Sequence, residues 1–164
     1  MLKHILLTLF FVLFASPAFA GSGPWGIGVI INSPTGFSVK HRISSKNSID
    51  GALGYSFGRS DNISIHSTYL WEFNEKIKIS KINLSYYLGI GGALHSRDKN
   101  DDPPRWAADN SDDELGLAVR GVGGLNYYFK DPAFEVFAEL SLNFFFVPAT
   151  DVNLGIAVGG RYYF

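Results

Sequence analysis

Val152-Asn153-Leu154-Gly155-Ile156-Ala157-Val158-Gly159-Gly160-Arg161-Tyr162-Tyr163-Phe164 reads in steps of two. Val152, Leu154, Ile156, Val158, Gly160, Tyr162 and Phe164 fall on one face, and Asn153, Gly155, Ala157, Gly159, Arg161 and Tyr163 on the other. A repeat of two residues is the signature of a β-strand, because successive side chains point to opposite sides of the backbone. It is sustained to Phe164, where an ordinary domain tends to fray, so this strand is expected to be a structural seam.

Working back from it, the same alternation recurs seven times. Phe134 to Phe146 carries Phe134, Val136, Ala138, Leu140, Leu142, Phe144 and Phe146 on a face without a polar residue. Lys130, Asp131 and Pro132 join it to Leu115–Phe129. Before those come Ile82–Ser96, Ile63–Phe73, Ile49–Phe57, Gly36–Ser44 and Trp25–Ile31. Residues 74–81, with Ile77 and Ile79, either extend the fifth strand or form an ordered turn. No stretch has the 3.6-residue period of a useful amphipathic helix. The expected fold is all-β: an eight-stranded antiparallel up-and-down transmembrane β-barrel with a polar, side-chain-filled lumen.

Alternation alone does not say which face is outside, and a lipocalin-like soluble barrel with an apolar interior is the competing architecture. Volume decides between them. Eight strands enclose just enough room for side chains to fill, and the apolar face includes Trp25, Phe37, Tyr55, Phe57, Tyr69, Trp71, Phe73, Tyr86, Phe144, Phe146 and Tyr162, which would not fit. The glycines, alanines and a few long charged side chains of the other face would. With both ends of the chain in the periplasm, the long Arg97–Glu114 connection falls at the cell surface and the Lys130–Pro132 turn on the periplasmic side. Trp25, Trp71, Phe73, Tyr127, Phe129, Phe134, Tyr162 and Phe164 then gather at the periplasmic ends, and Phe37, Tyr55, Phe57, Phe144 and Phe146 toward the outer ends. Two aromatic girdles are expected from that placement.

Composition agrees with a wall that has one apolar and one small or polar side. Aromatics make up 15% of the chain and glycine supplies 18 residues, yet mean hydropathy is near zero. Lys3 and His4 precede an apolar run, Ile5 to Phe14, and then Ala18 and Ala20, which reads as a signal peptide (residues 1–20) cleaved to leave a barrel domain at 21–164. The chain has no cysteine, so neither disulfides nor a lipidated cysteine contribute. Loss of Lys3 with the leader takes the net charge from -1 to -2, which does not suggest nucleic acid as a partner.

The inward face carries Lys40, Arg42, Arg120 and Arg161 against Asp50, Glu72, Glu135 and Glu139. Charges taken into a narrow lumen cost several kcal/mol unless paired, so a salt-bridge network that plugs the barrel is expected. A last hairpin centred near Ala149 would set Arg161 opposite Phe137 and diagonal to Glu135 and Glu139. Other constellations are weaker. His66 and His95 face inward, while His41 and Ser67 face outward from strands that are not neighbours, with no outward acid to complete a hydrolytic triad. Asp98, Asn100 and Asp102 open like a calcium loop, but Pro103 and Pro104 stand where the glycine turn should follow. The same acidic loop holds Arg105 and Trp106, a stiffened aromatic that could anchor a surface partner. Gly89–Gly92 and Gly121–Gly124 lie inside strands with no helix after them, so they are not phosphate cradles. No catalytic residue, metal or cofactor is expected.

Gly159, Tyr162 and Phe164 resemble the glycine-then-spaced-aromatics ending that the outer-membrane assembly machinery reads in bacterial β-barrel proteins; Ala157 departs from its usual polar residue. The 21–164 region resembles the small eight-stranded barrels of the OmpA transmembrane-domain and OmpX type. Gly26-Ile27-Gly28, Pro34-Thr35-Gly36, Ile49 through Gly54, Tyr69-Leu70-Trp71, Tyr87 through Gly92, Gly124 through Tyr127 and Pro148-Ala149-Thr150 are similar to a bacterial family of such barrels known as a domain of unknown function. The resemblance implies an integral outer-membrane location, contact with membrane lipid and with the barrel-assembly machinery, and a monomer. The expected role is structural or surface-interacting, through an extracellular protein ligand. A narrow ion-conducting pore is the first alternative and a lipid-modifying hydrolase the second.

Overall fold

The computed structural model describes residues 23–56, 62–79, 82–97, 115–147 and 150–164. Eight strands follow one another: β1 (Trp25–Asn32), β2 (Thr35–Arg42), β3 (Asn47–Ser56), β4 (Asn62–Ile79), β5 (Ile82–Arg97), β6 (Leu115–Phe129), β7 (Phe134–Val147) and β8 (Asp151–Tyr163). Each pairs antiparallel with its sequence neighbours, and β8 returns to β1 to close the barrel. The seam runs from Gly26 opposite Tyr163 to Asn32 opposite Ala157, and the Phe164 N–H donates to the Trp25 carbonyl at 3.0 Å. Closure satisfies the backbone groups that an open sheet would leave unpaired at its edges.

The connections divide the barrel into two ends. At the proximal end lie Trp25, Phe164 and the turns β2–β3, β4–β5 and β6–β7; at the distal end lie β1–β2, β3–β4, β5–β6 and β7–β8, including the long 98–114 connection. In the tight β1–β2 turn, Asn32 takes a positive φ of 102°, which asparagine tolerates. Its backbone N–H donates to Thr35 Oγ1 at 2.9 Å, and its side-chain amide donates to the Ile156 carbonyl at 2.8 Å, tying the turn to β8. At the proximal end, the Tyr163 N–H donates to the Ala133 carbonyl at 2.9 Å, one step beyond the Phe134–Tyr162 pair.

Residues 74–79 differ from both readings of the sequence: they lengthen β4, not β5. A bulge between Phe73 and Ile77 inserts two extra residues on β4, after which Ile77 pairs with Leu84 and Ile79 with Ile82. An even insertion preserves the facing, so the alternation looks uninterrupted. The β7–β8 register also differs from expectation. Arg161 stands directly opposite Glu135, while Phe137 faces Gly159. The register of the described pairs is thus shifted by two residues from the expected one.

Burial is inverted relative to a soluble domain. Apolar side chains on every strand face outward and lie about half exposed, including Ile27, Leu88, Leu140, Leu142 and Ile156. Among the described residues, fourteen polar or charged residues are buried against eleven hydrophobic ones, of which all but Tyr163 fall in three small clusters. Aromatic rings meet at the proximal end: Phe73 stacks on Tyr86 with centroids 4.7 Å apart, Tyr127 meets Phe129 edge-on at 4.7 Å, and Phe129 lies 6.3 Å from Phe134. Tyr55, Phe144 and Phe146 stand toward the distal end, while Phe57 lies outside the described residues.

Candidate functional site

The lumen is built by the inward positions of all eight strands. Three of its bulky rings owe their place to glycine. Tyr163 lies across Gly26, Tyr87 across Gly124 and Phe137 across Gly159, each a cross-strand partner. A Cβ on those glycines would stand 2.8, 2.3 and 2.4 Å from the nearest ring atom. The rings therefore lie flat along the wall and leave the axis to the charged side chains.

Two polar clusters fill that axis. In the larger one, Lys40 Nζ lies 2.7 Å from Glu72 Oε1, 3.0 Å from Glu135 Oε1 and 3.0 Å from the Tyr128 hydroxyl, which accounts for its three protons. Glu135 also accepts from Asn126 Nδ2 at 3.1 Å and from the Tyr163 hydroxyl at 2.7 Å. Arg161 reaches Glu135 Oε2 at 3.5 Å, Asp50 Oδ2 at 3.0 Å and Ser38 Oγ at 2.9 Å, with its guanidinium 4.0 Å from the Phe137 ring centre. Glu72 accepts further from Ser48 Oγ at 2.7 Å and the Tyr128 hydroxyl at 3.2 Å. In the smaller cluster, Arg120 pairs with Glu139, which accepts the Tyr87 hydroxyl at 3.0 Å. Lys40, Glu135 and Arg161 are at most 1% exposed, so neither bulk water nor salt screens these pairs effectively.

All eight charged residues expected inside face the lumen, but their partners differ in part. Arg161 binds Glu135 and Asp50, whereas Glu139 goes to Arg120. Arg42 is held differently: its guanidinium lies 3.7 Å from the Tyr163 ring centre and 4.5 Å from that of Tyr128, with no carboxylate of the described residues at ion-pair distance. Sequence reasoning missed the inward tyrosines 87, 128 and 163 as members of the network, along with Asn126, Ser38 and Ser48. The glycines across from Tyr87 and Tyr163 were the available signal, since a ring opposite a glycine has room to lie inward.

Gly159 lies inward beneath Phe137, Tyr162 outward opposite Phe134, and Phe164 against Trp25 at the seam. Residues 1–22 and 98–114 are outside the described residues, and with them the signal peptide, the calcium-like Asp98, Asn100 and Asp102, and the Arg105 and Trp106 contact. On the outer wall, His41 stacks on Trp25 with ring centres 4.2 Å apart. Ser67 sits two strands away on β4, on the order of 10 Å at the usual strand spacing, too far for a hydrogen bond. Among the described residues no three His, Asp or Glu side chains gather as a metal site.

No protein-family model matches the chain, and no curated protein does. Among solved structures it is similar to the N-terminal β-barrel domain of Pseudomonas aeruginosa OprF, at 16% identity and a TM-score of 0.55, over 84% of this chain and 94% of that one. The likeness is one of architecture: with the closed β1–β8 order, this chain folds as a small eight-stranded antiparallel barrel.

Proposed function

We propose that the protein is an integral outer-membrane barrel without catalytic activity, whose lumen is plugged and whose work is done at the cell surface. The observation that carries this reading is the inverted burial: a belt of half-exposed aliphatic and aromatic side chains surrounds a lumen of paired charges. In water such a belt would far exceed the apolar patch a soluble monomer carries, while in a bilayer it meets hydrocarbon. The distal end, with the long acidic connection, is then extracellular, and the proximal end periplasmic. Arg105 and Trp106 are the contact offered to an extracellular protein ligand. Gly159, Tyr162 and Phe164 are the segment offered to the assembly machinery. The barrel is read as a monomer in contact with outer-membrane lipid.

Lys40 and Arg161 bridge carboxylates from β3, β4 and β7, so the pairs cross the lumen instead of lining one wall. Closure by that network favours a plug over the narrow pore. Purified protein in planar bilayers should give no ion-sized conductance steps, and reproducible steps would overturn the plug. Heat-modifiable migration on a gel, with protease cleavage confined to the region around 97–114, is expected of the folded barrel in vesicles. Deletion of residues 103–106 should abolish surface binding while leaving that migration intact; unchanged binding would remove the assigned contact.

A further inference from the structure

At the proximal end the lumen opens into a cavity of about 550 Å³, lined in part by Arg42, Glu72, Tyr128, Phe129, Lys130, Phe134 and Tyr163. We propose that this mouth is a binding site for a phosphate group, presented as the headgroup of a phospholipid in the adjacent leaflet or as a free phosphate ester. The assignment rests on the membrane-spanning reading only for the lipid source.

Arg42 is the centre of the site. Its guanidinium carbon lies 3.7 Å from the Tyr163 ring centre and 4.5 Å from that of Tyr128, with the two rings inclined at 64° to each other. No carboxylate of the described residues pairs with this guanidinium, whose N–H edges form the fork by which arginine takes a phosphate in two parallel bonds. Arg120 and Arg161, by contrast, spend those edges on carboxylates. Glu72 also lines the cavity, but it is occupied by Lys40 at 2.7 Å, Ser48 at 2.7 Å and Tyr128 at 3.2 Å. Within this end of the lumen, Lys40, Arg161 and Arg42 offset Asp50, Glu72 and Glu135. Lys130, exposed on the β6–β7 turn beside Asp131, adds a positive charge to the cavity wall, which Asp131 does not line.

The apolar part of the wall extends the inference to a lipid. Phe129 and Phe134 are cross-strand partners on the outer belt, and both also line the cavity. The mouth is thus continuous with the surface that meets acyl chains, and a headgroup drawn toward Arg42 and Lys130 could keep its chains on those rings. The volume falls within the range usual for small-molecule sites.

Native mass spectrometry of the folded, detergent-solubilised barrel, titrated with phosphatidylglycerol and with phosphate-free diacylglycerol, tests the site. Phosphatidylglycerol should bind as a discrete adduct and diacylglycerol should not. Arg42→Gln should weaken binding about ten-fold, the value of one lost charge-assisted contact, and Lys130→Gln by a smaller factor. Lys130 is on an exposed turn, so that variant reports even if Arg42→Gln fails to fold. Glycerol 3-phosphate and inorganic phosphate, titrated against the Arg42 Nε–H resonance, separate the sources. A shift with them at concentrations comparable to the lipid assigns a free phosphate, and a shift only with lipid assigns a headgroup. Neither titration requires insertion into a bilayer, so failure of the site is distinct from failure of the membrane reading. Equal lipid binding by wild type, Arg42→Gln and Lys130→Gln, or binding of diacylglycerol as tight as that of phosphatidylglycerol, would overturn the proposal.

Discussion

Replacing Glu135 by Gln tests whether the lumen is held by paired charge. The Glu135 carboxylate is fully buried and receives Lys40 at 3.0 Å, Asn126 at 3.1 Å, Tyr163 at 2.7 Å and Arg161 at 3.5 Å. Glutamine keeps the shape but turns an NH2 toward donors whichever way its amide is set. Two charge-assisted bonds are lost with the charge. Breaking a buried pair costs about 3–5 kcal/mol when a charge is left uncompensated. Here Lys40 keeps Glu72 and Arg161 keeps Asp50, so the lower end applies, about 3 kcal/mol. With a urea slope of about 1–3 kcal/mol per molar, the unfolding midpoint should fall by roughly 1–3 M. Unfolding from lipid vesicles, followed by the fluorescence of Trp25 and Trp71, measures it. Asp131→Asn on the exposed β6–β7 turn is the control and should stay within about 0.5 kcal/mol of wild type. A loss below about 1 kcal/mol for Glu135→Gln would mean that the lumen solvates its charges as water does, and the plug would fall with it.

Glycine positions give a sharper steric test. Gly124→Ala should cost about 1–3 kcal/mol because its Cβ meets the Tyr87 ring, and most of that cost should vanish in a Tyr87→Ala background. Gly121→Ala, whose nearest contact would be at 4.0 Å, should be neutral or slightly stabilising in the same unfolding assay. On the outer belt, Leu142→Arg near the middle of β7 should destabilise the membrane-inserted barrel by about 2–4 kcal/mol, against about 0–1 for Trp25→Arg at the proximal rim; equal costs would argue against a bilayer around the belt. Phe164→Ala should lower assembly into the outer membrane several-fold in cells while leaving refolding in detergent unchanged, as measured by the heat-modifiable gel shift; parallel losses would make Phe164 a stability residue only.

What was legible in the sequence was facing, and what was hidden was partnership. Strand β7 shows both. Its alternation separates Phe134, Val136 and Leu140 from Glu135, Phe137 and Glu139 without ambiguity, because a one-residue slip would exchange the two sets. A slip of two residues leaves every residue on its own face, so the pattern carries no information about whether Arg161 stands opposite Glu135 or Phe137. The turn decides, and Pro148-Ala149-Thr150 does not announce its centre. The same degeneracy concealed the fate of 74–79, where an insertion of two preserved the phase. The inward tyrosines were hidden for another reason: alternation sets Tyr163 on the face of Arg161, but only the register that brings Gly26 across from it and Glu135 within reach of its hydroxyl makes it a member of the network.

The degeneracy also assigns the lumen charges a role that the outer belt cannot perform. For lipid, Phe134 opposite Tyr162 and Val136 opposite Tyr162 are nearly equivalent, so hydrocarbon contact does not choose between registers separated by two residues. The lumen does. Sliding β8 by two would set Arg161 against Phe137, strip Glu135 of a cation and draw Tyr163 off the glycine that accommodates its ring. An uncompensated buried charge costs several kcal/mol, enough to leave one register dominant. Removing both charges together, as Glu135→Leu with Arg161→Leu, should therefore loosen register more than it lowers stability. Cysteines at positions 134 and 162 should crosslink cleanly in the native background, while the doubly neutralised barrel should also crosslink 136 to 162. Crosslinking confined to 134 and 162 in both backgrounds would show that closure of the sheet and the turns alone fix the register, and that the charges serve only to fill the lumen.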